Sequence, residues 1–181
     1  LGIKQFLLCG GSWGSTLAIA YAEAHPDRCL GLIIRGIFLG RPKEIDWFIY
    51  GLSKVFPEAW RDLVAVLPED ERGDILANFY CRLLDEDPKV HLPAARAWSR
   101  YEGACSTLHP SPETLAAFGE ESMAYALARI ETHYFTNGNF LSDNELLDNL
   151  SAVTQLPCTI IQGRYDMICP IATADELHRA W

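Results

Sequence analysis

A chain of 181 residues that is 49% hydrophobic, 11% aromatic and 22% charged can form a substantial core, which excludes the disordered, collagen-like and disulfide-only classes. Lys and Arg number 15 against 24 Asp and Glu, a net charge of −9, and that balance argues against a binder of nucleic-acid phosphates. No apolar run has the length needed to cross a bilayer. The chain opens at Leu1 without a Met and stops at Trp181 within a helical pattern, so a piece of a longer protein is expected.

Gln5–Cys9 is a short continuous apolar run, the pattern of a strand buried on both faces. Small and apolar residues from Ser12 to Ala24 predict a closely packed helix. It ends at His25-Pro26 because the residue before proline is pushed out of the helical region. Cys29–Ile34 reads as a second buried strand, and strand–helix–strand implies a parallel pair with a crossover helix. From about Arg41 to Phe140 the pattern turns helical, in Glu44–Val55, Pro57–Leu67, Glu71–Leu84 and Pro112–Glu131, with breaks at Pro57, Pro68, Pro88, Pro93 and Pro110. Asp143–Leu150 is a further helix, Cys158–Gln162 a third strand, and Ile171–Trp181 a last helix.

The fold class is therefore α/β: parallel strands with crossover helices in residues 1–40 and 141–181, interrupted by a helical insertion at 41–140. Three strands make a narrow sheet with open edges. The six cysteines show no C-x-x-C spacing and several stand in apolar runs, so buried free thiols are expected. They point to a reducing compartment, the cytoplasm.

Gly10-Gly11-Ser12-Trp13-Gly14 fits G-x-S-x-G where a buried strand turns into a helix. A nucleophile on such a turn has a strained backbone, and the residues two positions away must lack side chains. The Ser12 hydroxyl then points away from the sheet, and the Trp13 backbone N–H, at the helix N-terminus, can stabilise an oxyanion. A phosphate-binding loop is the rival for a Gly-rich turn, but no Lys follows and G-x-G-x-x-G is absent. Serine needs a base and an orienting acid, in the chain order Ser, Asp or Glu, His. Asp166 lies just past the third strand, after Gly163, on the edge where parallel strands end. None of the five histidines suits the base: His25 closes the first helix, His91, His109 and His133 lie in the insertion, and His178 follows Asp166 too closely.

With these residues identified, the sequence resembles the proline iminopeptidases of the α/β-hydrolase superfamily. The matching stretches are Gly10–Ala18, Arg35–Leu39 with Asp46-Trp47-Phe48, Ala95–Gly103, Ala128–Phe135 and Gly163–Asp166. The resemblance implies release of an N-terminal proline from peptides through an acyl-enzyme, without metal or cofactor. Ser12 would attack the prolyl carbonyl and Asp166 would orient the histidine. Glu102 and Glu131, on a helical cap, match the acidic residues that hold the substrate's free amino group. Two carboxylates facing one cavity repel each other unless a cation sits between them. Phe38 and Trp47 are candidates for packing against the pyrrolidine ring. The resemblance places the histidine beyond Trp181 and the second oxyanion donor before Leu1, so the piece alone is expected to be inactive. Hydrolysis of another ester or amide, and a noncatalytic hydrolase-like interaction protein, stand as alternatives.

Overall fold

The structure, a computed structural model, describes residues 2–181. In chain order the elements are β1 (Phe6–Ser12), α1 (Trp13–Ala24), β2 (Cys29–Ile37), α2 (Pro42–Ile49), α3 (Pro57–Val64), α4 (Ile75–Leu84), α5 (Pro88–Cys105), α6 (Pro112–Phe118), α7 (Glu121–Thr136), α8 (Glu145–Asp148), β3 (Cys158–Ile161) and α9 (Ile171–Ala180). Short 3₁₀ turns link several of them. The chain divides into two compact units, one of residues up to Glu44 together with Leu141–Trp181, the other Ile45–Phe140.

The first unit is a parallel sheet in the order β1-β2-β3. Its register aligns Leu8, Leu32 and Cys158 in one row and Gly10, Ile34 and Ile160 in the next. Side chains alternate along a strand, so these rows share a face. That face meets Ala18, Ile19 and Ala22 of α1, Leu146 of α8 and Ala174 and Leu177 of α9 in one core. The opposite face stays open among the described residues: Leu7 is 58% exposed, Ile33 41% and Ile161 54%. The expectation of strands buried on both faces is thus corrected, because the buried residues of α1, α8 and α9 all join one side. The same geometry corrects the thiols. Cys29, Cys105 and Cys169 are buried, Cys158 is half-buried, and Cys9, on the open face, and Cys81 are exposed; all six are free.

β2 runs three residues further than its apolar run, through Gly36. A register shift between Gly11 and Ser12 leaves Gly36 as an extra residue opposite the step, with φ +51°. Glycine takes that left-handed conformation without steric cost. Beyond β2 the buried Arg41 guanidinium binds Glu44 (3.1 Å), Glu176 of α9 (3.0 Å) and the Asn144 side chain (3.3 Å).

In the second unit α5 packs against α3, α4, α6 and α7, and α4 also against α7. Phe48 stands among the rings of Tyr101 (5.4 Å), Trp98 (5.8 Å) and Phe135 (6.1 Å). Pro88 and Pro93, expected as breaks, both lie in α5. Pro88 is its first residue, where an N–H has no intrahelical partner anyway, and Asp87 caps the helix by accepting from Lys89 N. Pro93 costs one turn's hydrogen bond, which the tertiary packing of Ala94, Ala95 and Trp98 (all buried) outweighs. The segment 112–131, expected as one helix, is two. It breaks at Gly119, and Glu120 starts α7 by accepting from Ser122 N and Met123 N, each at 3.1 Å. No helix among the described residues is long and apolar enough to cross a membrane.

Candidate active site

β1 ends on Ser12, whose backbone sits at φ 54°, ψ −124°, a region sparsely populated by residues with a Cβ. α1 starts at the next residue, so the turn is sharp and Ser12 is exposed at its tip. A Cβ on Gly10 would run into the Gly14 carbonyl, whereas a Cβ on Gly14 would meet nothing within 4 Å among the described residues. The steric demand for glycine two positions away therefore holds on the strand side only.

The turn is fastened from below. The buried Ser15 hydroxyl donates to Ser12 O (2.6 Å) and accepts from Phe38 N (3.0 Å), while Thr16 donates to Phe38 O (2.7 Å). These bonds tie the first turn of α1 to the residue leaving β2. They also set Phe38 beside Trp13, ring centroids 6.4 Å apart. Trp13 is the first residue of α1, so its backbone N–H is one of the helix's initial N–H groups, which have no carbonyl partner within the helix.

Asp166 stands in the turn after β3 and is half-buried. Its Oδ1 accepts from Cys169 N (2.9 Å) and its Oδ2 from Gln162 Nε2 (3.1 Å). It does not cap α9, whose N-cap is Pro170. The point where a side chain would leave Gly36 lies 3.7 Å from Asp166 Oδ2 and 3.8 Å from Ser12 N. Ser12, Trp13, Phe38 and Asp166 are thus gathered at the end of the sheet where the parallel strands finish.

Glu102 on α5 and Glu131 on α7 lie close enough in the helical unit for their charges to interact. Trp98 Nε1 donates to Glu131 Oε2 at 2.6 Å, and Glu102 Oε2 is buried with no hydrogen-bond partner. No ion pair among the described residues includes either. Burial pushes the Glu102 carboxyl up to about 7. Burial, and then the charge of Glu102, hold Glu131 well above the usual carboxylate range, with the Trp98 N–H opposing. Around them, burial raises Tyr101, which donates to Phe48 O (2.8 Å), and pushes Cys105 up to about 12. Two acids whose ionised forms are disfavoured by burial and by each other would be stabilised in the charged form by a cation placed between them. Trp47, in the same unit, is half-buried with its indole against Gly51.

No histidine among the described residues hydrogen-bonds to Ser12 or Asp166. His91 Nδ1 meets Asp85 O (2.8 Å), His133 Nδ1 meets the Tyr80 hydroxyl (3.3 Å), His25 closes α1 at the end far from Ser12, and His109 and His178 are exposed. No group of three or more His, Cys, Asp or Glu side chains among the described residues converges as a metal site would. Sequence reading gives no role to Ser15, Thr16 and Gln162. The hydroxyl pair directly after the G-x-S-x-G motif was the available sign for the first two. Gln162, a polar residue closing the apolar run Cys158–Ile161, was the sign for the last.

The profile of the α/β-hydrolase fold family matches residues 1–181. The chain is similar to the probable proline iminopeptidase of Leptolyngbya boryana, with 47% identity over 99% of this chain and 57% of that protein. It is also similar to the proline iminopeptidases of Arabidopsis thaliana (46%, over all of this chain and 48% of that protein) and Xylella fastidiosa strain 9a5c (45%, over all of this chain and 58% of that protein). The chain thus spans about half the length of the curated relatives it matches. Carrying a G-x-S-x-G turn between β1 and α1 of a parallel sheet, and matched along its whole length, the chain belongs to the α/β-hydrolase fold family.

Proposed function

We propose that the protein is a serine peptidase that releases N-terminal proline from peptides. The observation that carries this reading is the Glu102–Glu131 pair: two half-buried carboxylates, one with a buried oxygen that has no hydrogen-bond partner, and neither in an ion pair among the described residues, in a chain whose relatives are named proline iminopeptidases. A protonated prolyl nitrogen supplies the cation the pair lacks. Phe38 and Trp47 supply ring surface for the pyrrolidine.

Ser12 Oγ attacks the prolyl carbonyl and passes its proton to a histidine that follows Asp166 in the order Ser–Asp–His and that the resemblance puts beyond Trp181. The oxyanion accepts from Trp13 N and from a donor preceding Leu1. The histidine then protonates the leaving amine of the remaining peptide. Water attacks the ester to free proline and restore Ser12. Asp166 keeps the imidazole oriented, and the route needs no cofactor. The free thiols support a cytoplasmic setting.

The test is Glu102→Gln and Glu131→Gln in the full-length protein, assayed on a proline arylamide and on a neutral acyl ester. Each change is expected to lower kcat/KM on the arylamide at least about tenfold, the scale of one charge-assisted hydrogen bond, and to spare the ester. Equal turnover of the arylamide by all three proteins would assign the fold to another ester or amide.

A further inference from the structure

The Gln162 side chain makes three hydrogen bonds at the end of the sheet, using both of its N–H donors and its carbonyl oxygen. Its Oε1 accepts from Ile37 N at 2.8 Å, and its Nε2 donates to Asp166 Oδ2 at 3.1 Å and to Cys169 O at 2.7 Å. The β2–β3 ladder has Arg35 opposite Ile161 as its last pair. The amide therefore takes the place of the next backbone rung, bonding the last residue of β2 after the β3 backbone has turned away at Gly163. Glutamine alone among similar side chains meets all three needs. Glutamate could accept from Ile37 with one oxygen but would set the other, also negative, against Asp166 and the Cys169 carbonyl. Leucine would leave Ile37 N, Cys169 O and one Asp166 oxygen without these partners, and asparagine is a methylene too short.

One of these bonds, with a backbone N–H from Cys169, fixes the acid. Asp166 has one donor on each oxygen, Cys169 N on Oδ1 and Gln162 Nε2 on Oδ2, so its carboxylate plane is set and its remaining lone pairs point in defined directions. The loop so held starts and ends on Gln162, and its other anchor, Ile37, follows the Gly36 bulge whose open side is bounded by Ser12 N and Asp166 Oδ2.

We propose that Gln162 is the positioning residue of the triad acid: it locks Asp166 to the end of β2 and thereby sets its alignment relative to Ser12. The proposal rests on the reading of Asp166 as that acid. In the full-length protein, with a proline arylamide, Gln162→Leu is expected to lower kcat about ten- to a hundredfold with KM changed by less than about twofold. Gln162→Glu keeps an acceptor for Ile37 N and adds a carboxylate beside Asp166. It is expected to move the acidic limb of the kcat/KM profile to higher pH, because added negative charge favours the protonated histidine. A fall in melting temperature alone, with kcat and the acidic limb unchanged in both variants, would leave Gln162 a purely structural role and overturn the proposal. If Gln162→Leu fails to fold, the limb measured in Gln162→Glu decides by itself. Asp166→Asn separates the two levels of the argument. If it keeps wild-type turnover, the reading of Asp166 falls and the proposal with it. If it abolishes turnover while the Gln162 variants match wild type, the proposal alone falls.

Discussion

At Ser12 the chain accepts a backbone conformation that costs on the order of 1–3 kcal/mol for a residue bearing a Cβ. That cost is met by the bonds beneath it, Ser15 to Ser12 O and Phe38, and Thr16 to Phe38. Ser12→Gly is therefore expected to raise the stability of the full-length protein by about 1 kcal/mol over Ser12→Ala, read as melting temperatures. Neither variant should turn over substrate. Equal melting temperatures would mean the turn stores no strain. Much of this was legible in five residues, Gly10 to Gly14, since G-x-S-x-G states both the nucleophile and the need for a tight turn. The asymmetry between its glycines was not. Gly10 faces the Gly14 carbonyl across the turn, while the Gly14 position looks into open space among the described residues, and only coordinates distinguish them.

The pairing of α5 with α7 turns two separate glutamates into one electrostatic unit. With Glu102 raised to about 7 and Glu131 also raised, both chiefly by burial, the pair holds its protons more firmly than free carboxylates do and gives them up as pH rises through about 7. A cationic amine binds the ionised form, so binding gains strength as pH rises through about 7 and loses it below. KM for a proline arylamide is expected to fall across that range in the wild type and to flatten in Glu102→Gln; a KM that rises with pH while the substrate amine stays charged would contradict this. A third raised acid lies between α1 and α8: Glu23, with one buried oxygen lacking a partner, is pushed up to about 7 by burial and then by Glu145. The folded state then holds a proton that the unfolded chain releases above about 4.5, so Glu23 weakens the fold as pH rises from there through about 7. Glu23→Gln should match wild type near pH 4, below the free value of 4.5, and melt higher at pH 8, by about 2–4 °C per kcal/mol recovered. Identical differences at both pH values would remove the effect. The helices themselves were read unevenly from sequence. Pro93 concealed α5 because proline is a breaker locally, and the burial of Trp98 and Ala95 that overrides it is a tertiary fact. The cap of Asp87 before Pro88 was the local sign that outranked it.

For the whole chain, strand–helix–strand, a helical insertion and a returning strand and helix were readable from the change in hydrophobic period alone. Face coverage was not, because a continuous apolar strand reads the same whether its second face is covered or open. Leu7, Ile33 and Ile161 show it open among the described residues. The two units each hold part of the proposed chemistry, Ser12 and Asp166 in one, Glu102 and Glu131 in the other, and no histidine among the described residues hydrogen-bonds to Ser12 or Asp166. The 181-residue chain expressed alone is accordingly expected to show no proline arylamide hydrolysis above background; turnover matching the full-length protein would place the base among the histidines described above. The most direct measurement is reaction of the full-length protein with a fluorophosphonate, followed by peptide mapping. The predicted result is a single adduct on Ser12 that disappears in Ser12→Ala along with turnover. An adduct on another residue, or undiminished hydrolysis by Ser12→Ala, would contradict the account.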